Sequence, residues 1–337
     1  MNDRGDPMHL RIGMTYDLRS EYLAEGYSAQ QVAEFDSDET IDALEKAIRS
    51  LGHRTVRLGS ARALCQRLAG GQRWDLVFNI AEGLAGRCRE AQAPSILELY
   101  DIPYTFSDPL VCATTLDKAV AKRLIQSAGL PTARFAVVSD LREAAKVRLP
   151  CPLFAKPLAE GTGKGVDGNS RLGSRRELLE VCRRLLANFS EPVLVEEYLP
   201  GREFTTAVLG EDRRARVLGS MEIAMRRRAG TDIYSYLNKE RCEELVRYSP
   251  MAPGRLRKTV ERLALESYRL LGCRDAARVD FRCDGKGRPM FLEINPLPGL
   301  HPIHSDLPMI AAQEGMSYKE LIGSIIDSAC RRAGVRK

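Results

Sequence analysis

Apolar positions recur along the chain in two rhythms. The short apolar run Leu10–Met14 predicts a first strand. Ile41, Leu44, Ile48 and Leu51 recur at helical spacing over 38–51, and Gly52 stops that helix. Thr55–Leu58 predicts a second strand. Asp75–Ile80, nearly all apolar, predicts a third that is buried on both faces. Strand, helix, strand, helix, strand implies a small parallel sheet. A second unit starts near residue 110. Leu116, Val120 and Leu124 share one helical face, closed by Gly129 and Pro131. Leu153–Lys156 predicts a strand running into a glycine-rich loop. Ser174 and Glu177 form a capping box opening a helix through Leu186, and Val193–Tyr198 predicts another strand. From about residue 200, Arg257–Leu271 is amphipathic with Gly272 as its cap. Ala276–Cys283 and Met290–Asn295 alternate like strands around the turn Asp284–Gly287. The pattern divides into 1–110, an N-terminal α/β unit; 111–199, a central unit with the glycine-rich loop; and 200–337, a C-terminal unit with an acidic hairpin.

Composition narrows the class. The 337 residues are 44% hydrophobic and 28% charged, enough for a core without staples. A net charge of +6 favours a phosphorylated ligand but does not argue for nucleic acid. The nine cysteines are scattered, with no C-x-x-C pair, which argues against structural zinc and a disulfide framework. The N-terminus lacks the apolar core of a signal peptide, and no stretch approaches the ~18 apolar residues of a membrane span. A cytoplasmic protein without membrane or nucleic-acid partners is expected.

The candidate chemistry starts at the hairpin. Arg278, Asp280 and Arg282 share one strand face, as do Glu293 and Asn295 on the next strand. Once the strands pair, Asp280 can meet Glu293 and Asn295. Two carboxylates and an amide oxygen are hard ligands suited to Mg²⁺, which completes its shell with water and phosphate oxygens. The flanking Phe281, Phe291, Leu292 and Ile294 place this group on a buried sheet. Lys156 ends a strand, and Gly161, Gly163 and Gly165 follow in a loop whose backbone N–H groups can approach phosphate. The spacing is not that of a P-loop.

Taken in order, DLVFNI, LELYDIPYTFSD, LDKAVAKRLIQSAGLPT, FAKPLAEGTGKG, VLVEEYLPGREFTTAVLG, LGCRDAARVDF, FLEINPLPGL and HSDLPMIAAQEGMSYKELI resemble the ATP-grasp superfamily, and within it the D-alanine–D-alanine ligases. The resemblance covers roughly residues 75–325. It implies an α/β, partly α+β, ATP-grasp fold of three domains, with nucleotide bound between two α+β domains behind a small parallel-sheet N-terminal domain. By the same resemblance Lys118, Lys156 and Lys239 touch ATP phosphates, and Gly161, Thr162 and Gly163 close over them. Glu196, Glu197, Tyr198 and Leu199 clamp adenine, and Glu203 binds ribose. Asp280, Glu293 and Asn295 hold two Mg²⁺ ions, for which Mn²⁺ can substitute. Arg278 polarises an acyl phosphate, while Ser305 and Gly299 lie near the second substrate's carboxylate.

The departures from the family fall at substrate positions. The N-terminal glutamate of the family has Glu21 or Glu25 as candidate replacements. The family's H-G-x-x-G-E-D-G stretch becomes Glu82 to Glu90, so that Glu82, Arg87, Arg89 and Glu90 are candidate substrate contacts after the C-terminal end of a strand. Glu240, where the family has tyrosine, follows Lys239. The family's N-T-x-P-G becomes Asn295 to Gly299, with His301 and His304 beyond. The expected activity is an ATP-dependent carboxylate–amine ligation through an acyl phosphate, giving a peptide-type bond, ADP and phosphate from amino-acid or carboxylate substrates. A ligase with another amino-acid, thiol or non-amino-acid acceptor is one alternative, and a non-catalytic ATP-binding regulator another. The resemblance also implies a homodimer.

Overall fold

The computed structural model describes residues 9–225 and 245–335. The first sheet is parallel, in the order β2-β1-β3, from β1 (Arg11–Thr15), β2 (Arg54–Gly59) and β3 (Leu76–Asn79). All four residues of β3 are buried, as an apolar run between two covered faces requires. Helices α1 (Arg19–Ala24), α2 (Asp38–Ser50) and α3 (Ala61–Ala69) connect these strands. Ser37 caps α2, accepting from the Thr40 N–H. The Ile41, Leu44 and Ile48 stripe then packs into one core with Leu321, Ile322 and Ile325 of the last helix, α11 (Tyr318–Ala333). The chain's end thereby covers its beginning. α10 (Asp306–Gln313) precedes that helix.

The chain continues through α4 (Gln92–Leu99), α5 (Pro109–Leu116) and α6 (Lys118–Ser127). The single helical face expected through Leu116, Val120 and Leu124 does not form. Asp117, at ψ 93, leaves helical geometry, and its side chain accepts from the N–H groups of Ala119 and Val120 to start a new helix. Leu116 is buried, but Leu124 is 40% exposed. The interruption puts Lys118 in the first turn of α6.

The second sheet is antiparallel, in the order β4-β7-β5-β6, from β4 (Phe135–Val138), β5 (Leu153–Pro157), β6 (Arg171–Leu172) and β7 (Val193–Glu197). α7 (Leu141–Lys146) and α8 (Arg175–Phe189) cover it. Ser174 caps α8, accepting from the Glu177 N–H, but the expected capping box is incomplete, because the Glu177 carboxylate accepts from the Ser174 hydroxyl and the Gly173 N–H rather than from the Ser174 N–H. The third sheet is antiparallel, in the order β10-β9-β8-β11-β12, from β8 (Glu203–Leu209), β9 (Arg216–Met225), β10 (Val246–Pro250), β11 (Ala276–Cys283) and β12 (Pro289–Asn295). α9 (Arg255–Leu271) packs on it through Val260, Leu263 and Tyr268. One parallel and two antiparallel sheets make up the mixed α/β architecture expected.

The hairpin β11–β12 carries a register shift. Asp280 pairs with Glu293, but Phe281 pairs with Phe291, so Leu292 is an extra residue. Phe281 and Phe291 keep the core face and meet edge to face at 6.2 Å. Leu292, expected to be a core neighbour, instead lines the cleft described below.

Candidate functional site

A cleft of about 920 Å³ lies between the second and third sheets. Lys156 enters it from the end of β5, and Lys118 from the start of α6. The Lys156 ammonium is 3.7 Å from Glu196 and 3.5 Å from Glu293. Burial by itself would lower the pKa of Lys156, but Glu196 and Glu293 outweigh it and hold the ammonium above its ordinary value. Lys118 donates to the Glu160 carbonyl at 2.7 Å and lies 3.9 Å from Glu293. Two lysines thus converge on Glu293, and as point charges with rotatable donors both are suited to phosphate oxygens.

Beneath them lies Lys122, one turn beyond Lys118 and fully buried, which sequence reasoning missed. Its ammonium is 2.8 Å from Glu196 and donates to the Thr132 hydroxyl at 2.8 Å. Burial lowers its pKa despite Glu196, while Lys122 and Lys156 overcome the burial of Glu196 and keep that carboxyl low. Glu196 is therefore a counterion shared by two lysines rather than a free edge. The cleft continues along Glu197, Tyr198 and Leu199 to Glu203, which Arg282 holds at 3.1 Å. The Leu199 N–H finds no acceptor among the described residues.

On the third sheet, Asp280 faces Glu293 across the ladder and Arg278 faces Asn295, so the four share one face. Burial raises the pKa of Asp280. Arg278, 3.0 Å away, opposes that, and Glu293 adds to it. Asp280 Oδ1 is buried and accepts no hydrogen bond among the described residues. An unsatisfied carboxylate oxygen opposite a second carboxylate fits a hard divalent cation. No group of three or more His, Cys, Asp or Glu with metal-holding geometry occurs among the described residues. The protein here offers two carboxylates and an amide, leaving other positions for phosphate and water.

The glycine-rich loop is held down from the first unit of the chain. Its Gly161 N–H donates to Glu34, and a Cβ on residue 161 would come within 2.5 Å of that carboxylate. Glu34 is bound by Arg89 at 2.8 Å and Lys164 at 3.2 Å, and Arg89 also donates to the Ala159 carbonyl at 3.0 Å. Arg89 and Lys164 overcome burial and keep the Glu34 carboxyl low. Thr162 adopts φ 51, uncommon for a β-branched residue and held here between Gly161 and Gly163.

A second cleft, of about 1920 Å³, shares Gly161, Arg278 and Asp306 with the first. Glu82, Glu90, Thr162, Asn295, Gly299 and Ser305 line it. Arg278 is clamped by Asp306 at 2.5 Å as well as by Asp280. Ser305 accepts from the His301 N–H at 3.0 Å and stands where a side chain on Gly299 would collide with it. His301 and His304 stack at 4.6 Å, and His301 lies 3.3 Å from Glu39.

The remaining sequence candidates lie elsewhere. Arg87, with a side chain 78% exposed, pairs with Asp117 at 2.8 Å and lines neither cleft. Arg89 is spent on the loop and Glu34. Glu21 and Glu25 are exposed, and Glu34 is the N-terminal glutamate that reaches the loop. Lys239 and Glu240 lie outside the described residues. The acidic patterning around Glu34 is weak, and its partners are far away in sequence.

Comparison with known proteins bears on the family and the fold. The family model described as D-ala D-ala ligase C-terminus matches residues 124–327. A protein named D-alanine--D-alanine ligase from Bordetella avium is 36% identical over 239 residues, covering 70% of this chain and 73% of its own. One of the same name from Chelativorans sp. is 33% identical over 326 residues, covering 92% and 97%. Among solved structures, the D-alanine--D-alanine ligase from Bacillus anthracis complexed with ATP superposes with a TM-score of 0.72 at 21% identity, covering 96% of this chain and 99% of that one. The VanG D-Ala:D-Ser ligase from Enterococcus faecalis superposes at 0.73 with 20% identity, covering 96% and 100%. At these identities the structures speak for the fold.

Proposed function

This chain belongs to the D-alanine–D-alanine ligase family of ATP-grasp ligases, and on that premise we propose that it activates a carboxylate with ATP and joins it to an amine. In this reading a carboxylate oxygen attacks the γ-phosphorus, ADP leaves, and an acyl phosphate forms. The amine nitrogen then attacks the acyl carbon, loses a proton, and expels phosphate carrying that same carboxylate oxygen. Lys118 and Lys156 offset the charge on the phosphoryl oxygens, and Lys239 is proposed to join them. Glu197, Tyr198, Leu199 and Glu203 bind the nucleoside. Arg278, at the mouth shared by the two clefts, stabilises the oxyanion formed when the amine attacks. Asp280, Glu293 and Asn295 would hold Mg²⁺, or Mn²⁺ in its place, and when bound it offsets phosphate charge. The loop Gly161–Gly163, tied to Glu34, excludes water from the acyl phosphate. Ser305 and Gly299 shape the far end of the second cleft. A cytoplasmic setting agrees with the eight described cysteines, all of them free thiols.

The observation that carries this reading is the convergence of Lys118 and Lys156 on Glu293, itself opposite Asp280, in a cleft that opens past Arg278 into a second one. A substrate labelled with ¹⁸O in its carboxylate tests the chemistry. One labelled oxygen should appear in the released phosphate, and unlabelled phosphate would contradict an acyl phosphate. Relatives named for D-alanine ligation make D-alanyl-D-alanine one candidate product, with related dipeptides or amides beside it.

A further inference from the structure

The second cleft carries an unusual charge arrangement. Five acidic residues line it: Glu34, Asp36, Glu82, Glu90 and Asp306. Glu34 is neutralised by Arg89 and Lys164, and Asp306 by Arg278. Asp36 has Arg19 nearby, but burial and Asp17 outweigh it and raise the Asp36 carboxyl to about 7. The other two are Glu82 and Glu90. Neither makes a hydrogen bond or ion pair among the described residues, although Glu90 is only 8% exposed and both border the cleft. Arg89 and Lys118 are cations that act on Glu90, but Arg89 donates to Glu34 and the Ala159 carbonyl, and Lys118 to the Glu160 carbonyl. A buried carboxylate without a partner is costly and calls for a cation.

We propose that this cleft takes a substrate bearing a cationic group beyond the ammonium and carboxylate of a neutral amino acid, a dibasic amino acid, with its extra ammonium or guanidinium against Glu82 and Glu90. The proposal rests on the ligase reading for the cleft's role and on geometry for its charge. Burial raises both carboxyls, Glu90 to about 7, and an incoming cation would draw their protons off and recover that cost.

The test is calorimetry on the full chain saturated with a non-hydrolysable ATP analogue and Mg²⁺. The probes are lysine against norleucine and arginine against citrulline, each in both chiralities. At least one basic member should bind about tenfold or more tighter than its neutral isostere. E90Q and E82Q should each reduce that ratio to below about threefold. The absence of any such preference, or a ratio that survives both substitutions, overturns the proposal. ADP release from the same mixtures is scored separately. Charge-selective binding without amine-dependent ADP would defeat the ligase reading and leave the charge class standing. ADP release with neutral amino acids only would do the reverse.

Discussion

Glu34 accepts a hydrogen bond from the backbone N–H of Gly161, a residue 127 positions further along the chain. This bond ties the glycine-rich loop to the segment between α1 and α2, so the posture of the loop depends on a contact made far away in sequence. A Cβ at residue 161 would press on the end of the Glu34 side chain, which Arg89 and Lys164 hold in place.

Glu34→Ala, which removes the acceptor, should therefore loosen the loop and leave the lining of the first cleft in place. The expected outcome is a fall in amine-dependent turnover of about tenfold or more and a rise in the fraction of ATP hydrolysed without product. The ratio of ADP to condensed product measures it. An unchanged ratio with unchanged turnover would show that the tie does not matter.

Lys122 acts through Glu196. Lys122→Met removes one member of a buried pair and leaves Glu196 with Lys156 at 3.7 Å. Losing one partner of a buried pair costs about 3–5 kcal/mol, and the remaining lysine should keep the loss near the lower end. A denaturant midpoint equal to the parent's would contradict this. Lys122→Arg should destabilise less than Lys122→Met.

Glu293→Gln removes one carboxylate of the facing pair and leaves its shape. Turnover should fall by at least about two orders of magnitude while the thermal melt stays close to the parent's. Unchanged turnover would defeat the assignment of Asp280 and Glu293 to a cation.

Glu90 gives a pH signature. Its carboxyl rises from an ordinary 4.5 to about 7 in the folded chain, so the folded state holds the proton more tightly than the unfolded one. That contribution is complete below about pH 4.5 and is lost as pH rises through about 7. Glu90→Gln should therefore gain stability over the parent at pH 8, by up to about 3 kcal/mol, and the gain should shrink by pH 5. Melting temperatures across that range decide it, and a gain independent of pH would contradict the assignment.

Much of this site is legible in local pattern. The hairpin is, because alternation along two strands around Asp284–Gly287 sets which residues share a face, and Asp280 does meet Glu293. The loop is legible because closely spaced glycines suit a left-handed backbone, as at Gly163 and Gly165 with φ 75 and 72, although Thr162 at φ 51 adopts one too. Contacts made across the fold are not. Lys122 bonds the Phe291 carbonyl 169 residues away, and nothing in its helix marks it as buried. The bulge at Leu292 depends on how two strands pair, and strand pairing leaves no trace in either strand alone. The break at Asp117 was missed because helical spacing continues smoothly through it, while its capping side chain overrides that spacing.

Two lysines and a facing carboxylate pair are proposed to serve ATP-driven joining of a carboxylate to an amine. The most direct test incubates the protein with Mg-ATP and pools of D- and L-amino acids, following ADP, phosphate and product mass together. ADP, phosphate and a condensed product of the expected mass should appear in equal amounts, only when an amino-acid pool is present. ATP bound but never consumed, whatever the pool, would contradict the account.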